Sequence, residues 1–170
     1  DPDDLPDLWW LEDPKWEFAP NSYVLNCDYR LILDNLMDLT HEAFVHPTTI
    51  GQSDILGAPI KSHMANDKAY LERWMHDIEP SPFWARALGK TCKVDRWQIC
   101  EFSLPSRIII QAGVAPAGKW VPEGDHGGVN GIVINMVTPE TETSARYYVG
   151  MVRDFHIDPV MGVSLKGCGN

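Results

Sequence analysis

The sequence has few cysteines, and none of them belongs to a metal-binding motif. Its 170 residues include four cysteines, which are Cys27, Cys92, Cys100 and Cys168. No Cys-x-x-Cys or Cys-x-His pair occurs, so the chain encodes neither a zinc knuckle nor an iron–sulfur site. We expect reduced thiols, because the first residues are acidic rather than basic and apolar as in a secretory signal.

Positive charge and long apolar runs are also scarce. The net charge of −10 and a pI near 4.9 oppose binding to nucleic acid or anionic membrane, since both need a concentrated positive surface. No apolar stretch approaches the roughly 20 residues of a membrane-spanning helix. We therefore expect a soluble cytoplasmic protein without a nucleic-acid or membrane partner.

Turn-forming residues are plentiful and predict a β-rich or mixed fold of one domain. Thirteen prolines and thirteen glycines separate short apolar runs. Four segments rich in β-branched and aromatic residues predict an antiparallel sheet: 94–103, 107–114, 131–138 and 145–152. Residues 66–75 fit either a short helix or a strand, 81–89 fit a loop or a helix, and 115–130 read as an irregular loop.

Residues 1–20 mix acids, prolines and an aromatic cluster, which is typical of an extended connector lying across a surface. The aromatic residues of this cluster are Trp9, Trp10, Trp16 and Phe18. A linker has little use at a free terminus, so we expect another segment to precede this one.

Residues 29–44 predict an amphipathic helix, with Pro47 preventing its continuation. Asp38 and His41 are three residues apart and should share one helix face, with Asp34 one turn earlier and His46 just beyond the last turn. The helix end can therefore direct both imidazoles at one point.

Two histidines and one carboxylate leave ferrous iron with open positions for oxygen. The spacing of His41 and His46 differs from the His-Glu-x-x-His motif of zinc proteases, and in a chain with six histidines it is weak on its own. Asp38 strengthens the hypothesis, since metal-bound imidazoles usually donate their other N–H to a carboxylate. Asp34 fits equally well as an ordinary helix-face acid.

Several motifs together resemble the catalytic domain of Rieske-type oxygenases, and in particular the vanillate O-demethylase oxygenase family. They are Asn26-Cys27-Asp28-Tyr29-Arg30, Asp34-Asn35-Leu36-Met37-Asp38-Leu39-Thr40-His41, Phe44-Val45-His46, Val114-Ala115-Pro116, Thr138-Pro139-Glu140-Thr141-Glu142, Tyr147-Tyr148, Arg153-Asp154-Phe155 and Ile157-Asp158. The resemblance covers most of the chain and is weaker between residues 51 and 107.

This resemblance implies an α+β helix-grip (START-like) fold, in which a curved antiparallel sheet with packed helices encloses the site. It implies that His41 and His46 bind a mononuclear Fe(II), that Asn35 lies near the iron, and that Asp38 bridges electrons to it. Those electrons would come from NADH through a separate reductase and the [2Fe–2S] Rieske cluster of a neighbouring subunit in a homotrimer. With O2, the iron would oxidise a small aromatic substrate, by O-demethylation of a methoxy group or by a related oxidation.

Two departures from the family limit what this chain contains. It lacks the Cys-x-His and Cys-x-x-His ligands of the Rieske cluster, so residues 1–20 would connect to a missing N-terminal domain and 21–170 would be a partial catalytic domain. The third iron ligand of the family, an aspartate on a C-terminal helix, is not found, because neither Asp154 nor Asp158 matches it. We expect a piece of a larger enzyme that binds iron weakly alone, or a natural truncation without activity.

Ile110 and Asn135 are the predicted substrate-binding residues. On the predicted strands, Ile108, Ile110, Ile134 and Met136 alternate with Ile109, Asn135 and Val137, and the sequence does not say which set faces inward. Asn135 also fits a solvent-facing position. The alternative function is a non-catalytic helix-grip module that binds a small apolar or aromatic molecule without metal. A zinc hydrolase would lack a recognisable general base and third ligand.

Overall fold

Within residues 7–46, 49–119 and 127–156, which the computed structural model describes, seven strands form one antiparallel sheet. The strands are β1 (Glu17–Leu25), β2 (Ile60–Ala65), β3 (Lys68–Ile78), β4 (Val94–Ser103), β5 (Arg107–Pro116), β6 (Val129–Thr141) and β7 (Ser144–Arg153). Their order across the sheet is β1-β7-β6-β5-β4-β3-β2. Neighbours from β2 to β7 are consecutive in sequence, and β1 pairs with β7 at the other edge.

The four predicted strands are confirmed, with β5, β6 and β7 extending beyond their predicted bounds. The two open segments are now assigned. Residues 68–75 belong to β3, which follows a turn at Asn66 and Asp67 and contributes Arg73 to the helix-bearing face of the sheet. Residues 81–89 contain α3 (Pro82–Leu88), which has Pro82 in its first turn and ends at Gly89 with φ of 65°. Proline at the start and a left-handed glycine at the end are the expected boundaries of a helix.

The first helix, α1 (Tyr29–Met37), begins at Asp28, whose Oδ1 accepts a 2.9 Å hydrogen bond from the Arg30 amide. The prediction of one helix over 29–44 is wrong beyond Met37. Asp38 is extended, with φ of −90° and ψ of 96°, and its carboxylate accepts a 2.7 Å hydrogen bond from the amide of Thr40. Such a side-chain bond competes with helical hydrogen bonding and turns the chain. A separate short helix, α2 (Glu42–Val45), follows.

Apolar residues pack on both faces of the sheet. One cluster lies under α3 and another under α1, on the helix-bearing face; their buried members include Trp84, Val94, Val114, Val129, Phe155, Ile32, Val137 and Ala145. A third cluster covers the opposite face and consists of Trp10, Ile109, Ile132, Ile134 and Val152. The aromatic N-terminal segment thus packs across the sheet, and β1 begins at Glu17 within it.

The register of β5 and β6 corrects the predicted sets of alternating residues. Ile108 pairs with Asn135, so both lie on the helix-bearing face together with Ile110 and Val137. Ile109 and Ile134 pair on the opposite face, and Met136 packs there too. The sequence pattern gave the alternation within each strand but not the phase between strands, which depends on the pairing.

No helix in the described ranges is long and apolar enough to cross a membrane.

Candidate active site

A cavity of about 330 Å³ lies between the helix-bearing face of the sheet and the three helices. Its lining is mainly apolar and includes Leu36, Leu39, Ile50, Phe83, Trp84, Ile110, Ala112, Gly131, Val133 and Met151. The polar residues of the lining are Asn35, Asp38, His41, Glu42, His46, Arg96 and Gln98. An apolar cavity of this size with few polar groups suits a small organic molecule.

His41 and His46 flank α2, His41 just before the helix and His46 just after it. Their ring centroids are 5.6 Å apart and the ring planes are inclined by 66°. Nδ1 of His41 lies 2.5 Å from the backbone carbonyl oxygen of Asp38, so this nitrogen donates its proton to that oxygen. Nε2 of His41 then keeps a free lone pair, which is the form of imidazole that binds a metal.

Asp38 contacts His41 through its backbone rather than through its carboxylate. The carboxylate accepts hydrogen bonds from the amide (2.7 Å) and hydroxyl (2.5 Å) of Thr40. These bonds lower the pKa of Asp38, with the Thr40 hydroxyl as the largest cause. The predicted acceptor for the imidazole was the carboxylate of Asp38, and the backbone carbonyl of the same residue takes that place. Either kind of acceptor, a carboxylate or a backbone carbonyl, fixes the orientation of the imidazole ring and its tautomer.

Glu42 is a buried site residue that the sequence analysis missed. Its side chain is 5% exposed. Oε2 accepts hydrogen bonds from Nη2 of Arg73 (2.7 Å) and Nε2 of Gln98 (2.6 Å). Oε1 accepts one from Nη2 of Arg96. No local pattern marks Glu42, because only the pairing of β3 with β4 brings the two arginines to one carboxylate.

The two arginines exceed the single carboxylate by one positive charge. Burial lowers the pKa of both Arg73 and Arg96 below the usual range, while Glu42 opposes that shift. Guanidinium groups nevertheless stay protonated in proteins. With both oxygens of Glu42 occupied, this residue is not available as a metal ligand or as a general base, which disfavours a zinc hydrolase.

The donor set at the cavity fits ferrous iron in part. Two imidazoles in the lining of the cavity, with centroids 5.6 Å apart, match the nitrogen ligands of a non-haem iron site. Within the described ranges, no group of three or more His, Cys, Asp or Glu side chains is placed to hold a metal ion. Asp154 accepts hydrogen bonds from the amide (2.7 Å) and side chain (2.6 Å) of Asn130, and Asp158 lies outside the described residues.

Five of the six predicted site residues line the cavity: Asn35, Asp38, His41, His46 and Ile110. Asn135 does not line it. This residue is fully buried, donates to the carbonyl oxygens of Ile108 (3.0 Å) and Val133 (3.2 Å), and accepts a 2.7 Å hydrogen bond from the Tyr147 hydroxyl. Its amide is satisfied within the sheet.

Residues 25–163 match the family described as the vanillate O-demethylase oxygenase C-terminal domain. The chain belongs to this family. The resemblance inferred from the motifs is therefore confirmed over most of the sequence.

The curated relatives of this chain include the vanillate O-demethylase oxygenase subunit of Pseudomonas sp. (strain ATCC 19151), which is 43% identical over 161 residues. That alignment covers 91% of this chain and 49% of the relative. The oxygenase component of dicamba O-demethylase from Stenotrophomonas maltophilia is 30% identical over 162 residues, covering 93% and 46%. This member of the family thus spans about half the length of the curated relatives it matches.

The fold is also that of a solved oxygenase. Dicamba monooxygenase bound to 3,6-dichlorosalicylic acid superposes with a TM-score of 0.87 at 27% identity, covering 98% of this chain and 48% of the other. A crystal structure of dicamba monooxygenase with non-haem iron and dicamba gives a TM-score of 0.73 at 26% identity, covering 95% and 45%. The predicted α+β helix-grip fold is confirmed by this similarity.

Proposed function

We propose that this chain is the iron-binding part of an oxygenase component that oxidises a small aromatic substrate with O2, by O-demethylation of a methoxy group. The observation that carries the proposal is the pair His41 and His46, held on either side of α2 at the wall of an apolar cavity. The family and the names of its relatives support the reaction class, since the two relatives named above are O-demethylase components.

His41 and His46 would hold the iron, and a further carboxylate ligand would come from outside the described residues. When bound, ferrous iron supplies the reduction of O2 that makes oxidation of an unactivated methyl group possible. Asp38 holds His41 through its carbonyl and presents its carboxylate toward Thr40. In the proposed role, this charged carboxylate is the bridge through which electrons reach the site. Asn35 lies beside it in the cavity wall.

The chain's apolar residues would orient the substrate and exclude water. Ile110, Ala112 and Val133 line the cavity from β5 and β6, and Phe83 and Trp84 line it from α3. A planar ring fits between such surfaces. Excluding water would also prevent side reactions.

The electron supply and assembly belong to the same proposal. NADH, a reductase and a [2Fe–2S] Rieske cluster would deliver electrons, and a homotrimer would place one subunit's cluster near the next subunit's iron. Support comes from relatives named as oxygenase components or iron–sulfur subunits of monooxygenase systems.

The test uses the complete protein that carries this chain. Anaerobic loading with ferrous iron should give stoichiometric metal, measured by chelation after acid release. With reductase, NADH and O2, a methoxybenzoate should yield formaldehyde and a phenol in equal amounts. Iron-loaded, reduced protein that produces neither from a panel of methoxylated aromatics would count against the O-demethylase assignment.

A second candidate is the non-catalytic ligand-binding module. It is favoured by one observation, the absence of a third metal-binding side chain among the described residues. This candidate predicts that the complete protein binds an aromatic molecule in the cavity equally well before and after treatment with a chelator. The oxygenase predicts metal-dependent chemistry instead.

A further inference from the structure

The short helix between the two histidines has almost no apolar anchor. α2 contains four residues, far too few to be stable alone in water. Its two large apolar side chains point outward, with Phe44 72% exposed and Val45 63% exposed. Glu42 is the only residue of this helix that is buried. Apolar packing therefore does not hold α2 on the sheet.

The contact that does hold it is a polar clamp, formed by Glu42 of α2 with Arg73 of β3 and Arg96 and Gln98 of β4. Every partner reaches Glu42 from the sheet, with 2.7 Å to Arg73 and 2.6 Å to Gln98. The clamp is also internally braced, because Arg73 donates to Oε1 of Gln98 at 2.6 Å. Arg96 extends it to the next turn by donating to the carbonyl of Ile50 at 2.8 Å.

The backbone of α2 transmits this fixation to both histidines. The amide of Val45 donates to the carbonyl of His41 at 2.9 Å, and the amide of His46 donates to the carbonyl of Glu42 at 3.0 Å. Gly51 then donates its amide to the carbonyl of His46 at 2.8 Å. Fixing Glu42 thus fixes the residue before it and the residue four places after it.

We propose that Glu42 is a positioning residue, whose clamp to Arg73, Arg96 and Gln98 sets the separation of His41 and His46 for metal binding. Its relation to metal rests on the proposed function. Its relation to the placement of α2 does not, because every contact of the clamp joins residues of this chain. A carboxylate fits this task because it accepts two or three charge-assisted hydrogen bonds at once.

The test compares Glu42→Gln with Ile109→Ala in the complete protein. Glutamine keeps the shape of the side chain but presents an amide nitrogen where Arg73 or Arg96 requires an acceptor. Ile109→Ala opens a cavity on the opposite face of the sheet, so it controls for a general loss of stability. Urea unfolding measures the stability of both variants. Arg73→Gln, which removes a clamp residue outside the cavity wall, is the milder second variant should Glu42→Gln fail to fold.

The first measurement is amide hydrogen exchange of residues 44–46 in metal-free protein. Glu42→Gln should speed exchange there by about tenfold or more while leaving β6 and β7 protected, because α2 opens locally. Ile109→Ala should not speed exchange selectively in residues 44–46. Unchanged exchange at 44–46 in Glu42→Gln or Arg73→Gln would overturn the clamp, whatever the metal does.

The second measurement is anaerobic titration with Co(II), a coloured substitute for Fe(II). Glu42→Gln should bind about 10–100-fold more weakly, the usual effect of losing a residue that orients metal ligands, and its ligand-field absorption should change. Ile109→Ala should keep the wild-type spectrum. If α2 loosens but Co(II) affinity and spectrum stay unchanged, the metal-positioning role is wrong. If wild-type protein binds no metal, the proposed function fails, and hydrogen exchange still decides the clamp.

Discussion

The backbone carbonyl of Asp38 accepts a 2.5 Å hydrogen bond from Nδ1 of His41. One residue thereby has two separate tasks at the site. Its backbone orients an imidazole, and its carboxylate accepts two hydrogen bonds from Thr40. A substitution that changes only the carboxylate should therefore separate ring orientation from any role of the charge.

Asp38→Asn is expected to keep iron and lose turnover. Asparagine retains an oxygen that accepts from Thr40, and the backbone bond to His41 is untouched, so the metal site should persist. The negative charge of the proposed electron bridge is lost. Iron content and NADH-driven formaldehyde release in the complete protein measure the two effects. Thr40→Val, which keeps the charge, should retain most turnover; equal losses in both variants would contradict a role for the charge.

His46→Ala should abolish stoichiometric iron binding, because the site would keep only one of its two proposed nitrogen ligands. The matched control is His63→Ala on β2, where the imidazole stacks on Tyr70 with a centroid distance of 4.9 Å, away from the cavity lining. Iron is measured after anaerobic loading and gel filtration. Full iron content in His46→Ala would mean that this histidine is not a ligand.

Elements with a clear repeat could be predicted from sequence. β-branched runs between turns predicted β4 to β7, and the Asp-x-x-His-x-x-x-x-His spacing predicted that both imidazoles come close together. The end of α1 was missed because apolar periodicity continues through Leu39, while the side chain of Asp38 diverts the backbone. Periodicity describes a face and does not register such a competing local bond.

Properties that depend on strand pairing were out of reach. Asn135 faces inward only because it pairs with Ile108, and its amide is then used by the Tyr147 hydroxyl and two carbonyls. Glu42 directly follows His41 in the sequence, and nothing in its neighbours marks it as buried. Its burial follows from two arginines on adjacent strands, separated from it by 31 and 54 residues. Such long-range partners leave no local signal.

Gly51→Ala should destabilise the protein and weaken metal binding. A Cβ atom at Gly51 would lie 2.5 Å from the carbonyl oxygen of Glu42 and 2.8 Å from that of His46, and both are backbone atoms. The chain around α2 would have to shift, at a cost of about 1–3 kcal/mol in the free energy of unfolding. Urea unfolding and Co(II) titration measure both effects.

The control for this substitution is Gly57→Ala. A Cβ atom there would meet nothing within 4 Å, so stability and affinity should stay near the wild-type values. Equal behaviour of the two alanine variants would show that α2 tolerates displacement.

Cys100 should resist thiol reagents in the folded protein. It is fully buried, and burial raises the pKa of its thiol to about 12. At about pH 8 the thiol therefore stays protonated and unreactive. Cys27 and Cys92 are partly exposed and should react first. Peptide mapping after a brief alkylation, with and without urea, assigns each site; early labelling of Cys100 would mean that the sheet opens readily near the clamp.

The wild-type protein should lose stability at high pH, and Tyr147→Phe should lose less. Burial raises the pKa of Tyr147 from 10.0 to about 12, so the folded state holds this proton more tightly than the unfolded chain does. The resulting stabilisation is complete below about pH 10 and disappears as the pH rises toward 12. At neutral pH the variant should cost about 1–3 kcal/mol, because Oδ1 of buried Asn135 loses the donor that lies 2.7 Å away. Urea unfolding of both proteins between these pH values measures the difference, with Tyr148→Phe, at a 46% exposed position, as the control. A parallel decline of wild type and Tyr147→Phe would show that Tyr147 ionises equally in the folded and unfolded chains.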